Sequence, residues 1–361
     1  MAAHGTNLAE MFASQAIQKF FESSVTPMIT NQDYEGEIKD KASRLNVLTF
    51  SESEGLQTYS GSDLTLGSVT ESEGTLVTDQ QKAYYFKVKS LDVFKSYVED
   101  PESSLLNEKA GQLQEAVDTY VLGLHSDVAA GNRVGTNYTT GTVTVDVTTG
   151  AVTGSGTTFT SGMVGKGFKA TGHTLWYRVK TYSSTTAIVI EDDKDDETSA
   201  YTGGAIGAGA TYTIEANTAV TITASNVYDY ILQLKEKLGG RKIPTTGRWL
   251  VINSTVSRIL VQASVVTRDT EADTANIKNG YVGRLAGFDV YENEQVAGDN
   301  TTGFWVLAGH KSAITFAMAF VETGIEDLQA NFGKAYKGLN VYGAKVVDER
   351  RKALAALFCK V

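Results

Sequence analysis

The sequence predicts an α+β protein interrupted by an all-β insertion. Three observations indicate this class. Apolar residues recur at helical spacing within residues 1–30, 102–131 and 222–240. Strand-like alternation fills much of the remaining chain. At residue 133 the composition changes abruptly to Thr, Gly and Val. With 361 residues, the chain is long enough for two or three modules that each have a core.

Composition narrows the classes of function. The 32 basic and 42 acidic residues leave a formal charge of −10, which argues against tight sequence-independent DNA binding. A single cysteine, Cys359, excludes an internal disulfide and a thiolate metal cluster. The N-terminal sequence has no basic stretch followed by an apolar run, and no window reaches the roughly 18 apolar residues of a membrane span. These features predict a soluble protein made in a cytoplasm, without a membrane partner.

The first 92 residues predict a helix followed by a projecting hairpin. Residues 1–30 have helical periodicity, and "RLNVLTF" (44–50) has the alternation of a strand. Residues 51–92 contain two acidic turns, Glu52–Gly55 and Glu71–Gly74, between alternating apolar positions. Because these flanks bury little by themselves, residues 51–92 predict a long hairpin that projects from a body.

The next segment predicts a long helix. Ser103 or Ser104 is the expected N-cap, and Gly131 is the expected C-cap. One face collects apolar residues at helical spacing, namely Leu106, Ala110, Leu113, Val117, Val121, Leu124 and Val128. The expected length is about 40 Å.

Residues 136–214 predict a small β barrel or sandwich, since short alternating strands recur there without helix signals. Helical periodicity returns at residue 222, with Thr223 or Ser225 as the expected cap, and "RWLVIN" (248–253) predicts a buried strand. Later, "FWVLAGHKSAITFAMAF" (304–320) predicts a strand that continues into a short helix or a second strand. The last segment predicts a strand and then a tail.

No catalytic, cofactor-binding or metal-binding residues are predicted. The histidines His4, His125, His173 and His310 are isolated in sequence. His125 lies near the end of the long helix, where a cation favours the helix dipole, so a structural role is expected. "GSGTTF" (154–159) lacks the features of a dinucleotide site and predicts a β turn.

Two charged stretches have simple structural interpretations. The acidic run "EDDKDDE" (191–197) lacks the glycine and final glutamate of an EF-hand, so it predicts a solvated hairpin tip. Lys334, Lys337, Lys345 and "ERRK" (349–352) make the C-terminal quarter mildly basic, which indicates solvated faces or subunit contacts.

The stretch "GRLAGFDVYENEQV" (283–296) contains two glycines before a strand. Gly283 and Gly287 are expected to allow a tight connection and a close backbone approach. A phosphate loop is disfavoured because no Lys-Ser/Thr follows, and a membrane-helix contact is disfavoured because no apolar span surrounds the stretch.

The order of these segments resembles that of tailed-bacteriophage major capsid proteins with the Hong Kong ninety-seven phage-type fold. The segments that carry the resemblance are "TLVTDQQKAYYFKVKSLD" (75–92), "GRWLVINSTVSRILVQAS" (247–264), "GYVGRLAGFDVYENEQV" (280–296), "FWVLAGHKSAITFA" (304–317) and "GLNVYGAKVVDER" (338–350). The resemblance covers residues 1–132 loosely and 222–361 well. It implies an N-terminal arm (1–50), an extended loop (51–92), the spine helix of a peripheral domain (93–132), an inserted β domain (133–218), an axial domain (219–330), and a return strand with a C-terminal tail of the peripheral domain (331–361).

The insertion resembles a small β module found in phage tail and virion proteins. The expected core residues are Phe159, Val164, Phe168, Trp176, Tyr177, Val179 and Ile188. The joints "AAGNRVGT" and "IEANTAVTIT" and the acidic tip predict an independently folded module displayed on an outer surface.

The resemblance implies a structural protein of the virion, made in the host bacterial cytoplasm. Its copies would form the hexamers and pentamers of an icosahedral head that encloses double-stranded DNA without sequence-specific binding. A portal protein, a separate scaffolding protein rather than a fused one, and in some systems a decoration protein would be its partners. Crosslinking through Lys82, Lys87 or Lys89 is not expected, because it also needs an Asn and a carboxylate from a neighbouring subunit.

Two alternatives remain open: an encapsulin-like compartment shell, and a phage tail or adhesion protein built around the module. The lack of catalytic clusters argues against an enzyme.

Overall fold

The structure is a computed structural model that describes residues 23–32, 44–50, 71–89, 101–193, 200–263, 281–327 and 332–361. The helix predicted before residue 23, the turn at Glu52–Gly55, His4 and residues 194–197 of the acidic run lie outside these ranges.

Helix α1 (Thr26–Ile29) packs near the long helix α2 (Pro101–Leu122). The 22 residues of α2 span about 33 Å at 1.5 Å per residue. The chain then tightens into a 3₁₀ turn, Gly123–Asp127. The predicted length of 40 Å and the predicted C-cap at Gly131 are therefore wrong. Gly131 lies instead in the buried connection that follows.

The projecting hairpin has different boundaries from those expected. Strand β1 (Arg44–Phe50) pairs antiparallel with β2 (Glu71–Val77), from Arg44↔Val77 to Phe50↔Glu71. Strand β3 (Gln80–Lys89) follows after two residues but belongs to another sheet. Thus "RLNVLTF", assigned above to the arm, is the first strand of the hairpin, and "YYFKVK" is not part of it.

Two further strands and β3 form what we call the long-strand sheet. Strand β19 (Ile314–Asp327) pairs antiparallel with β20 (Gly333–Val346), which pairs antiparallel with β3. The segment after "FWVLAGH" is therefore a strand and not a short helix. Phe86 stacks on Tyr336 across β3 and β20, with ring centroids 5.4 Å apart.

The inserted residues form a sheet of their own, here called the module sheet. Its order is β11-β6-β7-β10-β9-β8-β12-β5. The strands are β5 (Thr136–Tyr138), β6 (Thr142–Val145), β7 (Ala151–Ser155), β8 (Gly167–Ala170), β9 (Tyr177–Ser184), β10 (Ala187–Asp192), β11 (Ile206–Ala210) and β12 (Tyr212–Thr218). Sequence-adjacent strands pair, as β6 does with β7 and β9 with β10. The other sequence-adjacent pair is β8 with β9, and the remaining pairings join strands that are further apart within residues 136–218.

The module has a separate hydrophobic core. The expected core residues Phe159, Phe168, Tyr177, Val179 and Ile188 are buried in it. Two expected core residues are not. Val164 is 45% exposed. Trp176 is partly exposed because it lies at the base of the module, over Gly131.

A second eight-stranded sheet, here called the central sheet, has the order β13-β21-β18-β14-β16-β15; β4 pairs with β21, and β17 with β18. Its strands are β4 (Arg133–Val134), β13 (Val220–Thr221), β14 (Arg248–Ile252), β15 (Tyr281–Leu285), β16 (Phe288–Glu292), β17 (Gly298–Asp299), β18 (Gly303–His310) and β21 (Leu354–Lys360). Helices α3 (Val227–Gly240) and α4 (Ser254–Gln262) pack with it in one core.

Helix α3 begins at Val227, and its N-cap lies one residue after Ser225. Its N-cap is Asn226, whose side chain accepts a hydrogen bond from the Thr223 amide (2.7 Å) and donates one to the Thr221 carbonyl (3.0 Å). The predicted caps, Thr223 and Ser225, belong to the turn that Asn226 organises.

The end of the chain is not a tail. After the short helix α5 (Asp348–Arg351), strand β21 pairs antiparallel with β18 from Phe304↔Cys359 to Gly309↔Leu354. The apolar run "LAAL" is buried because both faces of β21 are covered. Residues 354–360 therefore belong with the central sheet, whereas β19, which the sequence placed in the axial domain, belongs to the long-strand sheet.

The stretch "GRLAGFDVYENEQV" forms the hairpin β15–β16. Ala286 (φ +53°) and Gly287 (φ +92°) are its two turn residues, as in a type I′ turn. Gly283 (φ +140°) lies where the register shifts. The tight connection is therefore real. The expected close backbone approach is wrong, since a Cβ at either glycine would contact nothing within 4 Å.

Candidate assembly surfaces and the module junction

The described histidines have structural roles. His125 stacks on Trp305 with ring centroids 4.9 Å apart, and burial lowers the pKa of its imidazole to about 4. A neutral ring cannot supply the cation expected at the helix end. Sequence proximity to that end was misleading, because the stacking removes the ring from water.

His173 and His310 are bonded to their own surroundings. The Ala170 amide donates to His173 Nδ1 (3.3 Å), so Nε2 carries the proton that is donated to the Tyr201 hydroxyl (2.8 Å). His310 Nδ1 lies 2.8 Å from the Ser312 hydroxyl. In the described ranges, His, Cys, Asp and Glu side chains form no group of three that could hold a metal ion.

The described part of the acidic run is not a solvated tip. Glu191 is buried and pairs with Arg178 (2.8 Å) and Lys180 (3.0 Å). Asp193 accepts a hydrogen bond of 2.6 Å from the Ala130 amide and lies 3.0 Å from Arg351. Asp193 therefore contacts the body of the protein, and the expected hydration is wrong for Glu191 and Asp193.

The basic C-terminal residues are also less solvated than expected. Lys337 pairs with Glu326 at 2.7 Å on the surface of the long-strand sheet. Arg350 donates to the Ser312 carbonyl at 2.8 Å. Arg351 is only 3% exposed. The predicted solvated face is therefore wrong for Arg351, which makes its contacts in the interior of the chain.

A buried ion pair joins the module to the central sheet. Glu215 of β12 accepts hydrogen bonds from the amides of Gly131 (2.8 Å) and Gly167 (3.0 Å) and from Arg133 Nη1 (3.0 Å). Arg133 of β4 also donates to the Ser126 carbonyl at 2.7 Å. Burial raises the pKa of Glu215, and Arg133 opposes that shift. The joint is consequently rigid and buried, unlike a glycine-rich tether.

Further bonds surround this pair. Lys166 of the module donates to the Asn217 carbonyl (3.0 Å), and burial lowers the pKa of its ammonium to about 8. On the body side, Asn132 donates to the carbonyls of Lys352 (3.1 Å) and Leu354 (2.9 Å). Both sides of the junction are thus held by hydrogen bonds that sequence patterns did not reveal.

A second buried carboxylate fixes the N-terminal segment. Asp118 of α2 accepts hydrogen bonds from the Ser24 hydroxyl (2.7 Å), the Thr26 hydroxyl (2.6 Å) and the amides of Val25 and Thr26. Its other partner is Asn293, at 3.0 Å. Asp118 therefore links α1, α2 and the segment after β16. The sequence signal was an acidic residue on an otherwise apolar helix face.

Large apolar side chains are exposed toward one end of the long-strand sheet, on both of its faces, since Ile325 pairs with Tyr336 whereas Tyr85 pairs with the next residue, Lys337. Phe332 is 92% exposed, Tyr85 68% and Ile325 64%. Tyr85 lies on β3, Ile325 on β19, and Phe332 directly before β20. We call these three residues the apolar tip. Burial of these side chains against another protein chain would remove apolar area from water. Lys82 and Lys87 are exposed on the same β3 strand.

Comparisons with solved structures match almost the whole chain. A chain from Mycobacterium phage Che8 aligns with a TM-score of 0.61 and 16% identity, covering 98% of both chains. A chain from the capsid of the Cyanophage P-SCSP1u aligns with a TM-score of 0.58 and 12% identity, covering 98% of this chain and 93% of that one. A capsid chain of a native GTA particle aligns with a TM-score of 0.54 and 15% identity, covering 99% of this chain and 98% of that one. No protein-family model and no curated protein matches.

These likenesses show the fold. The chain has the α+β, Hong Kong ninety-seven phage-type fold of phage capsid structures, as the sequence predicted. The resemblance of the insertion to a phage β module remains a prediction. Among the described residues, every helix is too short or too polar to cross a membrane.

Proposed function

We propose that this chain is the major capsid protein of a tailed bacteriophage and assembles into the icosahedral head around double-stranded DNA. The observation that carries the proposal is the shared fold over nearly the full length of subunits from the Cyanophage P-SCSP1u capsid and the GTA particle capsid. Such a fold acts by interlocking copies, so its function depends on buried interface area.

Two surfaces support self-association. The hairpin β1–β2 makes its described strand contacts mainly within itself, and a two-stranded hairpin is marginal in water without a further partner. The apolar tip exposes three large side chains that association would remove from water. We infer that neighbouring subunits cover both surfaces in hexamers and pentamers.

We assign the chain to five structural roles. Residues 1–43 act as the arm, 44–77 as the extended loop, and α2 with the long-strand sheet as the peripheral domain. The central sheet with α3 and α4 acts as the axial domain, and residues 136–218 as an outward-facing inserted domain. A separate scaffolding protein, a portal protein and a decoration protein are the partners this role implies, in the virion and without enzymatic activity.

The net charge of −10 suits the inner contact with DNA, because an acidic wall does not adhere to the packaged duplex. An encapsulin-like shell is the second candidate, since it would use the same interlocking surfaces around protein cargo. A tail or adhesion protein would leave α2 and the central sheet without a role.

The test is assembly of the expressed full-length chain, followed by sedimentation and negative-stain imaging. Shells or capsomer rings support the proposal, and a stable monomer or trimer contradicts it. Gene neighbours encoding terminase and portal proteins, and DNA rather than protein inside purified particles, distinguish a phage head from an encapsulin-like shell.

A matched pair of variants tests whether the apolar tip takes part in assembly. Phe332→Asp should prevent assembly while leaving the circular dichroism spectrum unchanged, because Phe332 packs against little within the subunit. Val147→Asp is the control, since Val147 is 49% exposed in a turn of the module and should not affect assembly.

A further inference from the structure

A cleft of about 320 Å³ lies between the module and the central sheet. Val164 and Lys166 line it from the module, and Trp305 and Phe358 line it from the central sheet. The rings of Trp305 and Phe358 are stacked with their centroids 4.6 Å apart, so this wall of the cleft is apolar. Lys166 is partly exposed and lies directly before β8. We call this space the Lys166 cleft.

The amine of Lys166 has no close counter-charge. Its Nζ atom donates to the Asn217 carbonyl at 3.0 Å and lies 6.0 Å from the centroid of the Phe358 ring. Among the described residues, no carboxylate oxygen lies within 4.0 Å of this nitrogen. Arg133, a second cation, lines the same cleft, and Glu215 is paired with Arg133 at 3.0 Å. The surroundings of Nζ therefore favour a neutral amine over an ammonium.

The pKa of Lys166 follows this environment. Burial lowers it to about 8, the charge of Arg133 acts in the same direction, and Glu215 opposes the shift. Roughly a quarter of the Lys166 side chains are then neutral at pH 7.5, against about one in a thousand for an amine with the usual lysine pKa of about 10.4. Desolvation and a neighbouring cation are the two effects that make a lysine amine nucleophilic near neutral pH.

We propose that Lys166 is a covalent modification site of the folded subunit, at which Nζ is acylated by a small acyl phosphate. The nitrogen lone pair attacks the carbonyl carbon, a C–N bond forms, and the C–O bond to phosphate breaks. The proton lost from nitrogen leaves with the phosphate, and nothing is oxidised or reduced. The apolar wall formed by Trp305 and Phe358 accommodates the alkyl part of the acyl group.

The modification changes the charge of the junction between module and central sheet. An Nε-acyl amide is uncharged, so it removes one of the two cations, Lys166 and Arg133, that line the cleft. This site is separate from the assembly surfaces of the proposed function, because neither the hairpin β1–β2 nor the apolar tip lines the cleft.

Lys169 provides an internal control in the same module. Its Nζ atom also donates to one backbone carbonyl, that of Thr174 at 3.1 Å, and lies 5.9 Å from an aromatic centroid, that of Trp176. Its hydrogen bond is exposed, whereas that of Lys166 is partly buried. The two lysines therefore differ mainly in enclosure and in the proximity of Arg133.

The test treats the full-length folded protein with acetyl phosphate at pH 7.5 for increasing times. The protein is then unfolded, its remaining amines are labelled with deuterated acetic anhydride, and tandem mass spectrometry gives the acetylated fraction at each lysine. Acetylation should be about tenfold faster at Lys166 than at Lys169. The rate at Lys166 should level off above about pH 8.5, whereas an amine with the usual pKa becomes more reactive through pH 10. In urea the preference for Lys166 should disappear.

A matched pair of variants tests the role of the cleft. Val164→Glu places a carboxylate beside Lys166, which should stabilise the ammonium and slow its acetylation severalfold. Val164 is 45% exposed, so the variant should fold. Val147→Glu, at a site 49% exposed and outside the cleft lining, should leave the rate unchanged. Equal rates at Lys166 and Lys169 in the folded protein overturn the proposal, as does a preference that persists in urea or a rate that Val164→Glu does not change.

Discussion

The module sheet and the central sheet have equal numbers of strands, but they draw those strands from very different lengths of chain. All strands of the module sheet come from residues 136–218, and many pair with a sequence neighbour. The central sheet instead pairs β4 with β21, with Ala356 opposite Arg133. Contacts between distant residues form later and at greater entropic cost than local ones. The module can therefore form its core early, whereas the central sheet requires the last residues of the chain.

The largest effect is expected from ending the chain after Ala353, which removes β21. The central sheet should not form, because β21 joins β18 to β13 and β4. The loss should exceed the whole stability of an ordinary domain, about 5–15 kcal/mol. Hydrogen exchange with mass spectrometry should show protection lost in β14 and β18 and kept in β9 and β10.

Removing Val361 alone is the control for this truncation. Val361 is 46% exposed and lies beyond β21, so protection should be unchanged in both sheets. Continued protection of β14 in the truncated chain would contradict this prediction, because it would show that the central sheet forms without β21.

A smaller effect is expected at the connection between the two sheets. Glu215→Gln removes the carboxylate that balances Arg133 and places an amide donor near the N–H groups of Gly131 and Gly167. The cost should be about 3–5 kcal/mol, as for breaking a buried ion pair. Glu326→Gln is the control, because its pair with Lys337 is exposed and should contribute at most about 1 kcal/mol.

Chemical denaturation at neutral pH measures both variants. Equal unfolding free energies for the two would contradict the structural importance of the junction. A loss confined to the module, with the central sheet unaffected, would show that the two cores are more independent than the ion pair suggests.

Acid should destabilise the body through His125. Burial lowers the pKa of His125 to about 4, below its value in the unfolded chain. The contribution of neutral His125 to the free energy of unfolding is therefore complete above about pH 6.5. As the pH falls from 6.5 toward 4, the free energy of unfolding decreases by roughly 2–3 kcal/mol. His125→Phe keeps a ring against Trp305 and should reduce this loss.

The measurement is the difference in unfolding free energy between wild type and His125→Phe at pH 7 and at pH 4.5. The difference between the two proteins isolates the effect of His125, because burial also lowers the pKa of His173 in the module and of His310. The free energy of unfolding of the variant should rise relative to that of wild type as the pH falls. A difference that does not vary with pH would show that the pKa of His125 is the same in the folded and the unfolded chain.

The smallest effect is expected in the hairpin β15–β16, a local element within the body. Gly287→Ala should cost about 1 kcal/mol, because φ is +92° there and the surrounding space is open. Ala286→Gly should instead stabilise slightly, since Ala286 also has a positive φ. Thermal unfolding of both variants measures whether their stabilities change in opposite directions. A change in the same direction would contradict the type I′ turn.

Several features followed from the sequence alone. The change of composition at residue 133 marked the module, and most of its expected core residues are buried in one cluster. The α+β class followed from the order of helices, strands and insertion, and the capsid-type fold from the resemblance of that order to tailed-phage capsid proteins. These features are local periodicities or their order, so they are visible without knowing which strands pair.

The tertiary structure alone decided which segments meet. An apolar run such as "LAALF" predicts burial, but its place between β18 and β13 depends on distant partners, one of which, Val220, lies more than a hundred positions before Cys359. The roles of Asp118, Glu215 and Arg351 were equally hidden, because a charged residue in sequence indicates solvent until its partners are known. Burial of these charges depends on the donors and counter-charges that the folded chain brings around them, and no local pattern encodes that arrangement.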